Sequence, residues 1–279
     1  MSAADGPGPD STRGGPDRQG VPVLTVRNLS VRFGEAGTAF TALDQVSLDA
    51  GEGEFLLVAG SNGSGKTLLM RCMAGLLAAQ EGEILFRGQP LARVKTLRRE
   101  LGLVFQDADA QILGETVEED TAFGPRNLGF SREETERRVG AALEAVGLEA
   151  KRDRAPRRLS GGEKRRLAVA GILAMGCGVI IMDEPFANLD WPGVVQVLEI
   201  LQSLKRAGKT LIVLTHELEK VLALADRLLI LHRARIRDDG KPGGVLDRLD
   251  PAWGVRDPRR NYHSIEDCSW LPVTGAADN

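Results

Sequence analysis

The stretch that decides the fold reads Gly60-Ser61-Asn62-Gly63-Ser64-Gly65-Lys66-Thr67. It directly follows the apolar run Glu54–Ala59 (EFLLVA), which has the length of a buried strand, and it precedes Leu68–Met73, which has a helical register. The spacing GxxxxGK[ST] between a strand and a helix is the pattern of a phosphate-binding loop. The stretch therefore predicts an α/β fold with a nucleotide at the start of this helix.

Each residue type in the loop suits this chemistry. Glycines let backbone N–H groups turn toward phosphate oxygens, and the helix start adds its positive end. We expect Lys66 to reach the β- and γ-phosphates and Thr67 to offer its hydroxyl to Mg²⁺, with Leu68 closing the set of nucleotide-binding residues. Kinases, GTPases and ATPases share such loops, so the loop alone predicts the ligand class and not the reaction.

A second apolar run, Val179-Ile180-Ile181-Met182, ends in two carboxylates, Asp183 and Glu184. We expect Asp183, at the end of the strand, to hold Mg²⁺ directly or through water. Glu184 points to the opposite side of the strand and could orient or deprotonate an attacking water. Charges after four apolar residues are costly unless they are used, which favours the functional interpretation over an ordinary solvated strand end.

A third stretch, Leu159-Ser160-Gly161-Gly162-Glu163, stands at the start of a predicted helix. A hydroxyl, exposed N–H groups and a helix amino terminus make a second anion-binding surface in the same chain. One nucleotide cannot easily use both surfaces of one subunit. The pattern therefore suggests two subunits that face each other head to tail.

LSGGE resembles the signature of ABC ATPases, whose commonest form is LSGGQ. Together with Gly60–Thr67 and Val179–Glu184, and with further landmarks in order over roughly Val23 to Gly240, it makes the resemblance very specific. The resemblance implies a P-loop NTPase with a RecA-like α/β core, an antiparallel β subdomain and an ABC helical subdomain. It also implies ATP and Mg²⁺ as cofactors, and an ATP-sandwich dimer closed by Ser160, Gly161 and Gly162 of the opposite subunit.

The same resemblance assigns the remaining site residues. Gln106, in VFQD, matches the loop glutamine that contacts Mg²⁺ and communicates with the transmembrane partner. Asn188-Leu189-Asp190 matches the loop that crosses the dimer interface, and His216 matches the switch histidine at the γ-phosphate. Catalysis is thus expected from Glu184, His216 and Lys66, with the metal held by Thr67, Gln106 and Asp183.

Two positions need separate comment: the aromatic residue for adenine stacking, which has two candidates, and the last residue of LSGGE, which differs from the usual glutamine. Phe33 matches the aromatic residue on which adenine stacks in this family; Phe40 is the competing candidate, and Phe33 could instead be a core side chain. Glu163 replaces the usual glutamine of the signature, and on the first turn of a helix it could cap the amino terminus. We expect activity to survive that replacement.

Composition and patterning set the organisation of the 279-residue chain. Residues 1–20 are predicted to be a disordered tail, 21–245 an ABC ATPase domain with its helical subdomain at about 107–165, and 246–279 an irregular extension. No run approaches the about 18 apolar residues that span a membrane. Cys72, Cys177 and Cys268 have neither metal-ligand nor disulfide spacing, and reduced cytosolic thiols are expected.

The basic cluster Lys151–Arg158, continued by Lys164-Arg165-Arg166, could suggest nucleic acid. It contains no aromatic residues for base stacking, and acidic residues interrupt it, so a solvated face of the helical subdomain is the better interpretation. The net charge of −3 gives no general attraction to nucleic acid or anionic lipid. Soluble ABC proteins of DNA repair or translation carry long coiled coils or two cassettes, and this sequence shows neither.

Within transporters, Phe105–Gln111 (FQDADAQ) and the helix Ala168–Met175 resemble the energy-coupling-factor ATPases of cobalt, nickel and vitamin uptake. The resemblance implies a second ATPase subunit, identical or different, a transmembrane T component and a substrate-binding S component. It places the chain at the cytoplasmic face of the cell membrane, attached only through its partners. Asp107, Asp109 and Gln111 would lie where the T component docks. The alternative is the ATPase of another ABC importer or of an exporter.

Overall fold

The structure is a computed structural model that describes residues 21–34, 40–94 and 96–259. The predicted disordered tail, residues 1–20, lies outside the described residues. So do residues 260–279 of the predicted C-terminal extension, which include Cys268.

Two sheets are formed by the strands of the described ranges. In chain order the strands are β1 (Leu24–Phe33), β2 (Phe40–Ala50), β3 (Phe55–Ala59), β4 (Glu81–Phe86), β5 (Gln89–Pro90), β6 (Leu101–Val104), β7 (Val179–Asp183), β8 (Thr210–Thr215), β9 (Arg227–His232) and β10 (Arg235–Gly240). The order β2-β1-β4-β5 makes an antiparallel sheet, and the order β10-β9-β3-β8-β7-β6 makes the central sheet.

The central sheet is parallel from β9 to β6, and β10 joins its edge antiparallel to β9. Every residue of β3, β7 and β8 is buried. A parallel strand covered on both faces needs apolar side chains along its whole length, which explains the unbroken apolar runs in the sequence. Because β3, β8 and β7 are neighbours, the loops that follow them meet at one edge of the sheet.

Helices cover both faces of the central sheet. In chain order they are α1 (Lys66–Met73), α2 (Leu97–Glu100), α3 (Val117–Asn127), α4 (Arg132–Ala145), α5 (Gly161–Met175), α6 (Trp191–Arg206), α7 (Leu218–Val221) and α8 (Pro242–Asp247). Helices α3, α4 and α5 pack on one another, and α3 and α4 each begin at a hydroxyl side chain, Thr116 and Ser131, that accepts a backbone N–H of the first turn. No helix among the described residues is both long enough and apolar enough to cross a bilayer.

Alternate residues of β3 face two separate hydrophobic cores. Phe55, Leu57 and Ala59 pack with the apolar faces of α3, α4, α5 and α6. Leu56 and Val58 pack with α1 and with the antiparallel sheet. The strand that leads into the phosphate-binding loop is therefore fixed from both sides.

The strands predicted at 54–59 and 179–182, and the helix predicted after the phosphate-binding loop, are all present. The structure differs from the prediction in the C-terminal third. Strands β9 and β10 were not predicted, although β9 lies beside β3 in the middle of the sheet. The extension predicted to be irregular from residue 246 begins inside α8 and continues through a 3-10 turn, and Leu246 and Val255 are buried because they pack on the core.

Arg227, at the start of β9, joins the two sheets. It is buried, and its guanidinium donates to both carboxylate oxygens of Asp239 on β10 and to the Asp49 carbonyl of β2 at 3.0 Å. Burial acts to lower the pKa of Arg227, but the hydrogen bonds and charge of Asp239, with Asp49 and Glu54 nearby, raise it above its ordinary value. The guanidinium therefore stays charged and links three strands.

We expect Arg227→Met to lower the free energy of unfolding by about 3 kcal/mol, because it leaves the Asp239 carboxylate without its buried partner. Urea denaturation at neutral pH measures the change. The matched control is Arg235→Met on the same hairpin, since Arg235 pairs with Asp44 but is 56% exposed. That substitution should cost at most about 1 kcal/mol. Equal losses in the two variants would contradict the role given to Arg227.

Candidate active site

The phosphate-binding loop lies between β3 and α1, at the carboxyl edge of the central sheet. Helix α1 begins at Lys66, and its N-cap is Gly65 with a left-handed backbone (φ 110°). A side chain on Gly65 would bring its Cβ to 2.7 Å from the Ala42 carbonyl of β2. A side chain on Gly60 would come within 2.2 Å of the Leu231 carbonyl of β9. The loop is thus held in shape by strands of both sheets, at positions that only glycine fits.

Lys66 is buried and its ammonium is fully engaged. Its Nζ donates to the Gly60 carbonyl at 2.8 Å and the Ser61 carbonyl at 3.2 Å, and it lies 3.4 Å from Glu184 Oε1. A buried lysine needs such partners, because an unpaired charge out of water is very costly. The loop that carries Lys66 and the strand that ends at Glu184 are therefore joined by an ion pair.

Glu184 is the centre of a hydrogen-bond network. Its Oε2 accepts from the Thr215 hydroxyl at 2.8 Å, and its Oε1 lies 2.9 Å from His216 Nδ1. The backbone N–H of His216 also donates to the carboxylate, at 3.2 Å. Glu184 has a left-handed backbone (φ 46°), which is uncommon for a residue with a side chain and turns the carboxylate toward β8.

Asp183 lies on the other side of the same strand end. Its Oδ2 accepts from the Thr67 hydroxyl at 2.7 Å, while its Oδ1 is buried and has no hydrogen-bond partner among the described residues. Burial raises the pKa of Asp183 above its ordinary value, and the Glu184 charge adds to the rise, against the hydrogen bond from Thr67. A hydroxyl beside an unpartnered buried carboxylate oxygen fits Mg²⁺, which prefers oxygen ligands.

A metal ion here would need further oxygens from outside the protein. Among the described residues, no group of three or more His, Cys, Asp and Glu side chains is placed to hold a metal. This arrangement is typical of Mg²⁺ bound through a carboxylate, waters and the phosphates of a nucleotide. The site therefore suits a metal that arrives with its nucleotide.

A surface cavity of about 430 Å³ brings several predicted residues together. Its lining residues are Phe40, Ala42, Asn62, Gly63, Gly65, Lys66, Thr67, Leu68, Gln106 and Glu184. Gln106, which follows β6, thus reaches the phosphate-binding loop although 40 positions separate it from Lys66 in the sequence. Ser160, Gly161 and Gly162 do not line this cavity.

The two aromatic candidates for adenine stacking lie opposite each other on the β1–β2 hairpin, where Phe33 is the register partner of Phe40. Phe40 lines the cavity and is 62% exposed, whereas Phe33 is 44% exposed and does not line it. Residues 35–39, between β1 and β2 in the sequence, lie outside the described residues. The structure therefore brings Phe40 to the phosphate-binding loop, and the role of Phe33 stays a prediction.

The signature stretch forms the start of α5. Ser160 is the N-cap: its hydroxyl accepts from the Glu163 N–H at 3.3 Å, and Glu163 Oε2 accepts from the Ser160 N–H at 2.9 Å. This reciprocal capping box confirms the capping role predicted for Glu163. Ser160 and Gly161 are exposed, so the amino terminus of α5 faces solvent.

Arg165 is a site residue that the sequence interpretation missed. Its Nη2 donates to the Gln106 carbonyl at 2.7 Å and its Nη1 to the Glu184 carbonyl at 3.2 Å. Burial lowers the pKa of this guanidinium, against the attraction of Asp107, Asp183 and Glu184. The assignment of the basic cluster to a solvated face is therefore wrong at this position. Helical spacing could have shown it, since Ala168 and Val169, three and four positions on, are also buried.

Comparisons with known proteins agree with this geometry. The family model described as ABC transporter matches residues 43–187 of the chain. The energy-coupling factor transporter ATP-binding protein EcfA2 of Symbiobacterium thermophilum is 45% identical over 221 residues, which cover 77% of this chain and 77% of that relative.

Two solved structures have the same fold. CbiO1 of Clostridium perfringens, described as part of the ABC transporter complex CbiONQ, has a TM-score of 0.73 and 32% identity, with coverage of 81% of this chain and 91% of that chain. The dimeric ATP-binding cassette MJ0796, in a post-hydrolysis state bound to ADP and Pi, has a TM-score of 0.72 and 26% identity, with coverage of 78% and 98%.

We expect Arg165→Met to lower the free energy of unfolding by about 1–3 kcal/mol, because it leaves the buried Glu184 carbonyl and the Gln106 carbonyl without these donors. It should also weaken the binding of Mg–ATP, since both residues line the cavity. Urea denaturation and calorimetric titration measure the two effects.

Arg166→Met is the matched control, because Arg166 donates to the Val146 carbonyl at 2.6 Å, which is not part of the cavity lining. It should lose similar stability and keep its affinity for Mg–ATP. A loss of affinity in both variants, or in neither, would contradict a positioning role for Arg165.

Proposed function

The chain belongs to the ABC transporter family as an ATP-hydrolysing subunit close to the energy-coupling-factor and CbiO ATPases, and we propose that it powers an energy-coupling-factor importer for a metal ion or a vitamin. In this proposal it works as an ATP-sandwich dimer at the cytoplasmic face of the membrane. The observation that carries the dimer is the separation of two anion-binding surfaces within one chain.

One surface is the loop around Lys66, with Glu184 behind it; the other is the exposed start of α5 at Ser160. Because Ser160–Gly162 do not line the cavity of their own subunit, they are free to close over a nucleotide held by another. This chain contains both halves, so two copies would form two complete sites. The dimeric cassette with bound ADP and Pi, which has the same fold, supports this arrangement.

In the proposed reaction, Lys66 binds the β- and γ-phosphates, and Thr67, Gln106 and Asp183 would hold Mg²⁺. When bound, Mg²⁺ neutralises the charge that develops on the phosphate oxygens. The residues fit this metal, since the buried Asp183 Oδ1 has no hydrogen-bond partner in the part of the chain that the structure describes. The phosphate-binding loop supplies backbone N–H groups and the positive end of α1.

Glu184 is the proposed general base. Thr215 and the His216 N–H orient its carboxylate, and Lys66 shares one of its oxygens. As Lys66 turns to the phosphates, Glu184 Oε1 is released from that ion pair and can accept a proton from the attacking water. His216 contacts Glu184 through Nδ1, which leaves Nε2 to face the γ-phosphate.

The membrane partner is proposed to dock beside the loop that follows β6. A surface cavity of about 530 Å³ is lined here by Asp109, Ile112, Gly114, Glu115, Ala155, Pro156 and Arg157. Leu113 between them is 65% exposed, which suits an apolar anchor of a T component. Gln111 has an internal use, since its amide bonds to the Leu103 carbonyl and the Phe105 N–H. It shapes this loop. Asp109 pairs with Lys164 at 2.6 Å but its side chain is 69% exposed, so both Asp109 and Leu113 are accessible to the partner.

We expect Glu184→Gln to lower steady-state ATP hydrolysis at least about 100-fold, because the amide cannot accept the proton. ATP binding should be retained, and the ATP-bound dimer should accumulate. Phosphate release and size-exclusion chromatography with Mg–ATP measure both effects. Glu217→Gln is the control: Glu217 is close in the sequence to His216 but pairs with Lys220. Unchanged hydrolysis in Glu184→Gln would mean that the catalytic assignment is wrong.

We expect the tagged chain to co-purify from detergent-solubilised membranes with a T component and a small S component. Leu113→Glu should abolish this association, because it places a charge in the proposed apolar contact, and should leave ATP binding unchanged. Trp191→Glu, at an exposed residue of α6, is the matched control and should keep the membrane partners. Recovery of only a six-helix permease pair would show another type of ABC transporter.

A further inference from the structure

Glu163 puts a negative charge beside the proposed phosphate-binding surface of α5. It follows Gly162 directly, and its Oε2 lies 2.9 Å from the Ser160 nitrogen. A carboxylate at this distance repels a phosphate that approaches Ser160, Gly161 or Gly162, and the partly buried position strengthens the repulsion. The capping box therefore stabilises the helix but leaves an electrostatic problem that the usual glutamine does not have.

Lys151 lies where its positive charge can neutralise the Glu163 carboxylate. It ends a 3-10 turn, Glu149–Lys151, that follows α4, and its Nζ contacts Glu163 Oε1 directly. The side chains are 33% and 15% exposed, so the pair is shielded from water more than an ordinary surface pair. The hydrogen bond from Lys151 lowers the pKa of Glu163, against the opposite effect of burial, so the carboxylate stays ionised.

Each oxygen of the Glu163 carboxylate has a different partner. Oε2 is used by the Ser160 N–H and Oε1 by Lys151. What remains on the exposed first turn is the Ser160 hydroxyl and the N–H groups of Gly161 and Gly162, together with the positive end of α5. The charge of Arg166 also acts on Glu163, but its Nη1 donates to the Val146 carbonyl and not to the carboxylate.

We propose that Lys151 is a positioning residue for nucleotide binding between subunits: by pairing with Glu163 it neutralises the signature helix, so that Ser160–Gly162 can accept the terminal phosphate of ATP held by a second copy of this chain. The inference rests on the sandwich dimer proposed above. Lys151 is expected to affect closure of the dimer but not the first binding of ATP at Lys66. The two effects can be measured separately.

The test uses the full chain carrying Glu184→Gln as the parent and measures the Mg–ATP concentration at which half of the protein is dimeric, by light scattering. Adding Lys151→Met should raise this concentration about tenfold, which corresponds to about 1.4 kcal/mol. Calorimetric binding of ATP to the dilute monomer should not change. Adding Glu163→Gln to the Lys151→Met variant should restore the parent value to within about twofold, since the charge that needed neutralising is gone.

Lys164→Met is the matched control. This substitution removes a cation from the first turn of α5, next to Glu163, but Lys164 pairs with Asp109 at 2.6 Å. The Mg–ATP concentration for half-dimerisation should therefore equal that of the parent. Urea denaturation checks that each variant is folded; if Lys151→Met is unstable, Lys151→Gln removes the charge with a milder change.

Three results would overturn the inference. Lys151→Met could dimerise like its parent. Lys151→Met could dimerise poorly, and the added Glu163→Gln substitution could fail to restore dimerisation. That result would mean that Lys151 acts on the fold or directly on the phosphate. The parent itself could remain monomeric with saturating Mg–ATP, and that result would overturn the proposed dimer as well, so the two failures are distinguishable.

Discussion

The ion pair between Lys66 and Glu184 is the contact on which the rest of the site depends. It forms because β3 and β7 flank β8, so that the residues after these parallel strands must share one small space. Neither charge could be buried alone at acceptable cost. Together with Thr215 and His216 they form a network in which both buried charges have partners. The buried apolar strands β3, β7 and β8 fix the positions of these charged atoms.

Helix α5 links three parts of the molecule that the function must coordinate. Its first turn is the exposed signature surface, and Arg165 in its second turn donates to the carbonyls of Gln106 and Glu184. Lys164, next to Arg165, pairs with Asp109 in the loop proposed to meet the membrane partner. A shift of this helix would therefore change the position of three groups at once: the exposed signature residues, the Glu184 carbonyl and the Asp109 loop.

Much of this could be predicted from the sequence, because the information is local. A few consecutive residues encode each of three features: the phosphate-binding loop, the strand that ends at Asp183 and Glu184, and the capped start of α5. Strand β9 was not predicted although Leu228–Leu231 is an apolar run, because no motif follows it. Arg165 was grouped with its charged neighbours, and helical spacing was needed to show that it faces inward. The contact between Lys151 and Glu163 depends on how a turn packs on a helix, which no local pattern encodes.

The pairing of Lys66 with Glu184 also favours ligands that carry several negative charges. The Lys66 ammonium is held by two loop carbonyls and a carboxylate. An incoming ligand must compete with those partners, and a chain of phosphates, with its negative charge spread over several oxygens, competes better than a single phosphate group. In the proposed mechanism, the same phosphates that bind Lys66 therefore free Glu184 to act as the base.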